Sequence, residues 1–343
     1  MDQIWDIDVP CYDSILSQGG PRPPCVVLRD YINGFDSTLN NKILDHLQHL
    51  EGPKSKVRWG MPWHPTVIKN YPELELIIDH DLCEDYLYKP LYSYTEHPPV
   101  NIDRFVCSFN GSGHVGRRLL TSAMRKLNLF DAVSCTKNFA YDAIDIDGHI
   151  NDYADEQHAR FLSKFIVSRD PDFDKSFYSI DDWSKNRFAH ESNIERLAPI
   201  VTRCFLHLVS ESWSHSYQPF VTEKFLYSVL NRGLFLAYAQ PAWHHVLRDF
   251  YGFKWYSTIF NYDFDLVTDP VTRLYKLLME IQKFRTLTSD DWRDLYLMES
   301  DVIEYNYDHF MSRTFYKVAT ENASLGLLEA ASHDFRDWLE KYR

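Results

Sequence analysis

The chain reads as an α/β protein of two Rossmann-like lobes followed by a helical tail. Three observations carry that expectation. At 343 residues the chain is more than twice the length of one domain of roughly 150 residues. Its 45% apolar and 25% charged residues are an ordinary globular mix, rich enough in apolar side chains for more than one core. From residue 104 onward, short apolar runs alternate with stretches of helical spacing, the signature of β-α-β units. The expected divisions are 1–100, 101–270 and a helical segment 271–343 that packs back on both lobes.

In the first lobe, Gly19-Gly20-Pro21-Arg22-Pro23-Pro24 reads as a loop, Cys25–Leu28 as a short strand, and Asn41–Leu50 as helix. Trp59–Pro72, rich in Trp, Pro and His, reads as irregular chain. Leu74–Ile78 is a second apolar run that ends in Asp79-His80-Asp81, and Pro90–Pro99, with three prolines, reads as a linker.

The second lobe opens on a strand, Phe105–Phe109, a glycine-rich loop, Asn110–Gly116, and a helix, Arg117–Leu127, on which Leu120, Met124 and Leu127 share a face. Ala132–Cys135 completes that β-α-β unit, and the polar stretch 151–195 reads as surface helices and loops. Then come strand Ile200–Val209, helix Thr222–Asn231 stopped by Gly233, strand Leu234–Ala239, helix Ala242–Phe250 stopped near Gly252, and strand Phe253–Tyr256. Successive crossovers of this kind imply parallel strands. In the tail, Leu274, Leu277, Leu278 and Ile281 have amphipathic helical spacing.

Charge narrows the function classes. A net charge of −13 and a pI near 5.6 argue against a general nucleic-acid binder, which relies on cations to displace counterions. Aromatic residues reach 15%, an excess that serves core packing or lines a sugar or base pocket. No apolar run of about 18 residues occurs, and the start (Met1, Asp2, Asp6, Asp8) has no basic and apolar leader pattern, so a cytoplasmic protein without a membrane span is expected. Six cysteines, with no C-x-x-C and no zinc spacing, read as reduced thiols.

The sharpest anomaly is Thr222-Glu223-Lys224. Thr222 is a suitable N-cap, which puts Glu223 and Lys224 in the first helical turn. A glutamate suits the positive end of the helix dipole, whereas a lysine there is explained by an anion bound beside it. The bland alternative is a solvated surface lysine. Upstream, Glu211 and Ser212 end the preceding strand at the same sheet edge, where a carboxylate and a hydroxyl suit ribose or sugar hydroxyls. A second cluster, Gly111-Ser112-Gly113-His114-Val115-Gly116-Arg117-Arg118, has the G-x-G-x-x-G form between a strand and a helix. Asp131, the nearest acidic residue at the usual spacing, precedes the second strand instead of ending it, so what stands is a glycine-rich turn with two arginines, suited to a pyrophosphate. Asp145-Ile146-Asp147 has the form of a metal-binding D-x-D but reads better as a strand-end turn. Asp79, Asp81 and His64 are candidates for a general base in the first lobe, against the plainer reading of a solvated acidic face. No G-x-S-x-G, H-E-x-x-H or Walker loop is present.

Taken together, Phe205-Leu206-His207-Leu208-Val209-Ser210-Glu211-Ser212, Phe220-Val221-Thr222-Glu223-Lys224-Phe225 and Gly233-Leu234-Phe235-Leu236 resemble the donor-binding segment of the α1,3-fucosyltransferase family. That segment runs F-E-N-S, Y-x-T-E-K, helix, G-x-V-P-V. The chain also looks like phage and bacterial glycosyltransferases that share T-E-K and a following glycine. Ser108-Phe109-Asn110 with Arg117 resembles the family's S-N-x-N…R element. The resemblance covers about 104–260; Ser212 stands in place of Asn, the proline of the last motif is missing, and residues 1–100 do not align.

The resemblance implies a GT-B fold with an acceptor-side first lobe and a nucleotide-sugar-binding second lobe. It implies that Lys224 and Arg117, or Arg118 in its place, contact the donor diphosphate, that Glu223 binds the ribose and that Glu211 lies beside the donor sugar. Gly111, Gly113, Ser212 and Thr222 complete the expected donor site. A glycosyltransferase is therefore expected that needs no metal or cofactor and inverts the anomeric centre if the displacement is single. Its acceptor is expected to be a glycan or polysaccharide, the alternative being a hydroxylated base of DNA, as in phage enzymes working in a host cytoplasm. An NAD(P)- or FAD-dependent oxidoreductase using Gly111, Gly113 and Gly116 is the alternative from another class, and a sugar-binding protein without catalysis is a third.

Overall fold

The computed structural model describes residues 4–7, 21–28, 37–94, 98–110, 115–131, 134–137, 190–211, 214 and 219–341. Two parallel four-stranded sheets organise an α/β fold.

The first sheet runs in chain order: β1 (Ile4–Ile7), β2 (Cys25–Leu28), β3 (Ser55–Trp59) and β4 (Leu74–Ile78). Helix α1 (Ser37–His49) connects β2 to β3, and α2 (Pro65–Asn70) connects β3 to β4. Both β3 and α2 fall where irregular chain or nothing regular was expected. In β3, Lys56 and Arg58 alternate with the buried Ser55, Val57 and Trp59, a half-covered strand whose cations hide its period of two. In α2, Pro65 sits at the first helical turn, where its missing N–H costs nothing. Arg22, buried in the proline-rich loop, donates to the carbonyls of Leu47 and Gln48 at 3.0 and 2.9 Å, near the end of α1, and to Glu73 at 3.0 Å. A cation is favourable at that end of the helix dipole. The first half of the expected linker is packed chain: Leu91 and Tyr94 are buried, and the Tyr94 hydroxyl donates to Asn231 Oδ1 at 3.2 Å.

The second sheet has the order β6-β5-β7-β8, built from β5 (Arg104–Asn110), β6 (Cys135–Lys137), β7 (Cys204–Ser210) and β8 (Phe235–Tyr238). Helix α3 (Val115–Lys126) joins β5 to β6, so Gly116 belongs to the helix and not to the loop before it. Helix α4 (His190–Val201) runs past the expected start of β7. A 3₁₀ turn, Glu223–Phe225, leads into α5 (Leu226–Leu230), and α6 (Trp243–Asp249) follows β8. The left-handed residue after α5 is Arg232 (φ 51°), not Gly233. Gly233 is needed for space, since a Cβ there would lie 3.0 Å from Val201 Cγ1. Phe253–Tyr256 forms no strand, because side chains take its N–H groups: Lys254 donates to Asn306 Oδ1 and Tyr256 to the Tyr262 hydroxyl.

In this sheet the connection from β5 leads to one edge and that from β7 to the other, so the two neighbouring strands mark a topological switch point. The crevice beyond their carboxyl ends is where open α/β sheets take ligands.

The tail comprises α7 (Pro270–Gln282), α8 (Ser289–Met298), α9 (Ser300–Met311), α10 (Thr314–Leu325), α11 (Leu327–Ala330) and α12 (His333–Glu340). Asp269 caps α7 through the Thr272 N–H, and Thr288 with Asp291 forms a capping box on α8. Tail residues reach both sheets: Phe105 of β5 stacks on Trp292, Tyr316 donates to Asp81 beyond β4, and Trp338 packs edge-on to His64 at 5.7 Å. Among the described residues, no helix is long and apolar enough to cross a membrane.

Candidate functional site

Glu211 follows the last residue of β7, and its N–H donates to the Tyr238 carbonyl at 3.0 Å, which carries the sheet pairing one residue past the strand. Its side chain is wholly buried. Thr222 holds it twice, the N–H at 3.1 Å from Oε1 and the hydroxyl at 2.6 Å from Oε2. Lys224 donates to the Thr222 hydroxyl at 2.7 Å and lies 3.7 Å from Glu211 Oε2 and 3.6 Å from Glu223 Oε1. Thr222 therefore occupies the N-cap position with extended backbone but makes no side-chain cap bond; its hydroxyl serves Glu211 instead. Burial pushes the Glu211 carboxyl up, Lys224 and Thr222 pull it down, and Glu223 adds to the rise. The lysine's side chain is 23% exposed, and its ammonium is held by the Thr222 hydroxyl between the Glu211 and Glu223 carboxylates.

The start of α3 packs against the segment after β7. A Cβ on Gly116 would come within 2.3 Å of Ser214 Oγ and 3.5 Å of the Tyr238 ring, so only glycine lets the helix approach the segment after β7 this closely. Arg117 and Arg118 follow directly, each buried, at the helix end where backbone N–H groups share their sign. Arg273, a lone arginine on the buried face of α7, braces the same edge. It donates to the carbonyls of Ala239 (3.0 Å) and Thr268 (3.1 Å), and also to those of Val267 (2.5 Å) and Ser214. Ser210, buried at the end of β7, has a hydroxyl with no hydrogen-bond partner among the described residues.

The carboxyl edge of the first sheet holds the other candidates. His64 is buried and accepts the Thr66 N–H at 3.2 Å as the N-cap of α2; burial lowers it to about 4. Asp79 is ion-paired with Arg58, and Asp81, exposed, accepts from the Tyr316 hydroxyl. Between them His80 is buried among the rings of Tyr251 (5.3 Å) and Tyr316 (5.2 Å), and burial lowers it to about 4. Tyr88 connects the two edges. Its ring lies 6.3 Å from that of His80, and its hydroxyl donates to the Val221 carbonyl at 3.4 Å, one residue before Thr222.

The structure thus brings Glu211, Thr222, Glu223 and Lys224 together and sets the α3 arginines beside the same edge. Asp79, Asp81 and His64 lie on the opposing sheet. Gly111, Gly113, Ser212 and the Asp145–Asp147 pair lie outside the described residues. Among the described residues, no group of three or more His, Cys, Asp or Glu side chains is placed to hold a metal. Tyr88, Ser210 and Arg273 were not singled out in the sequence. Only Arg273 left a signal there, a charged residue entering an apolar helical stripe.

No protein-family model, no curated protein and no solved structure matches the chain.

Proposed function

We propose that the chain is a nucleotide-sugar-dependent glycosyltransferase of GT-B-like build, with the donor at the switch point of the second sheet and the acceptor approaching from the first. One observation carries this reading: a lysine in the first turn after β7, its ammonium held by Thr222 3.7 Å from the buried Glu211, at the sheet edge that also carries the arginine-bearing first turn of α3. Such an edge suits a diphosphate. As the anomeric carbon–oxygen bond breaks, the leaving diphosphate takes the electron pair, and Lys224 with Arg117 or Arg118 offsets its charge. Glu211 positions Thr222 and Lys224 and borders the donor sugar, and Glu223 takes the ribose hydroxyls. The acceptor oxygen attacks the same carbon and gives its proton to a base on the first sheet. Asp81 is the exposed member of the three candidates there, since Asp79 is ion-paired and His64 caps a helix. The acceptor is a glycan or polysaccharide hydroxyl; salt-dependent binding of DNA would redirect the assignment to a hydroxylated base.

The test is transfer of radiolabelled sugar from UDP-, GDP-, CDP- and dTDP-sugars, or their hydrolysis. Lys224→Met is expected to lose turnover and donor affinity while Lys224→Arg keeps part of both. Unchanged turnover in Lys224→Met would refute the site.

One observation favours a second reading. Gly116 allows a close approach of α3 to Ser214 and the Tyr238 ring, similar in kind to the close packing for which the third glycine of a dinucleotide fingerprint is needed. Against it, Asp131 is engaged by Arg104 at 2.9 Å and by the Ser134 hydroxyl at 3.1 Å, ahead of β6. Flavin or nicotinamide absorbance in the purified protein would decide for an oxidoreductase.

A further inference from the structure

Among the described strands, β4 is an edge strand, with a neighbour on one side only. Its Leu76, Ile77 and Ile78 point to alternate faces, yet all three are only half-buried, whereas β7 is buried at every position. Exposure on both faces at once locates the opening at the strand's edge. Natural edges are commonly closed by lysine, proline, a bulge or a covering helix; β4 has only Glu75 as a charge, and α10 packs against part of it. A cavity of about 570 Å³ lies along it, walled on one side by every residue from Glu75 to Asp81 and on the other by the end of α10 and Gly326-Leu327. Ile68 and Leu325, 51% and 58% exposed, lie on the same lining, a clustering of large apolar side chains that single scattered exposures do not produce. The charged groups of the lining, Glu75, Asp79 and Asp81, are all acidic. The lining also includes His80, buried, whose ring nitrogens make no hydrogen bond of normal geometry among the described residues, with the Gly60 backbone as a polar neighbour.

We propose that this groove binds an extended peptide segment of a partner protein, added to β4 as a further strand. Apolar side chains at alternate positions lie over Ile68 and Leu325, and lysine or arginine between them faces Glu75 and Asp81, Asp79 being paired with Arg58. Main-chain pairing supplies affinity, and the alternation supplies specificity. The inference does not rest on the glycosyltransferase reading, with which the groove shares Asp81.

The test is selection of a displayed library of random linear octapeptides against the full chain, then titration of an enriched sequence as a synthetic peptide. Enriched peptides are expected to alternate apolar residues with lysine or arginine and to protect from hydrogen exchange the amides of Leu76 and Ile78, which face away from β3. Ser324→Trp, which fills the groove from an exposed helix position, should weaken binding about tenfold or more, and Glu75→Lys, also exposed, about threefold. N-methylation of alternate peptide amides should abolish it. No enrichment beyond that given by the Ser324→Trp protein, enrichment of acidic peptides, or binding indifferent to N-methylation would each overturn the proposal. Circular dichroism of both variants confirms that they are folded.

Discussion

The two sheets share parallel pairing and strand number but differ in what covers them and in where their connections go. The first runs β1 to β4 in chain order, leaves β4 half-covered, and ends in a segment whose exposed acid, Asp81, accepts from a tyrosine hydroxyl. The second changes the direction of its connections between β5 and β7, buries β7 on both faces, and places a buried acid beside a partly exposed lysine at that point. A parallel sheet sealed on both faces offers a ligand only its carboxyl edge, and the switch point keeps connecting chain out of that crevice. The proposed donor site therefore falls at the carboxyl edge of the second sheet, and the proposed acceptor side on the first.

Deleting one ion-pair cation on each sheet sharpens the contrast. Lys224→Ala strands a fully buried carboxylate and should cost about 3 kcal/mol in urea unfolding. Arg58→Ala, which removes a 42% exposed partner from Asp79, should cost about 1 kcal/mol or less. Equal costs would break the comparison.

Acid should find the first sheet's edge. His64 and His80 have folded values of about 4 against an ordinary 6.5, so between these the unfolded chain binds more protons than the native one. Stability is fully present above pH 6.5 and is lost as pH falls toward 4. Going from pH 7 to pH 5 should cost about 2 kcal/mol per histidine. His80→Phe should remove one share, and a pH profile unchanged by that substitution would contradict the burial argument.

A smaller effect probes the α3 approach. Gly116→Ala should cost about 1–2 kcal/mol by forcing Ser214 aside, and Ser214→Ala in the same chain should recover most of it. Without that recovery, the glycine is serving something other than close packing.

Much of the second sheet was legible because its strands are continuous apolar runs set off by turns: β5, β8 and α3 fall within a residue or two of their expected bounds. Thr222-Glu223-Lys224 was legible as an anomaly of charge against dipole. The bond that explains it was not, because the Thr222 hydroxyl reaches Glu211 eleven residues back instead of capping its own helix. The same holds for α6, whose first N–H groups, on His244 and His245, are capped by Asp265 some twenty residues on, while Ala242 turns left-handed at φ 63°. The first sheet was legible only at β2 and β4. In β3 the cations mask the alternation, and a helix as short as α2 shows little period.

The most direct test of the central claim is ligand-induced thermal stabilisation by UDP, GDP, CDP, dTDP and their sugars, with NAD(P) and FAD alongside, each variant read against its own ligand-free Tm. At about 100 times its Kd a ligand adds roughly 2.7 kcal/mol, a rise of a few degrees for a chain of this size. The account predicts stabilisation by one nucleoside diphosphate, lost in Lys224→Met and in Arg117→Met and retained in Arg58→Ala. Stabilisation only by NAD(P) or FAD, or by a nucleoside diphosphate equally in all three variants, would contradict it.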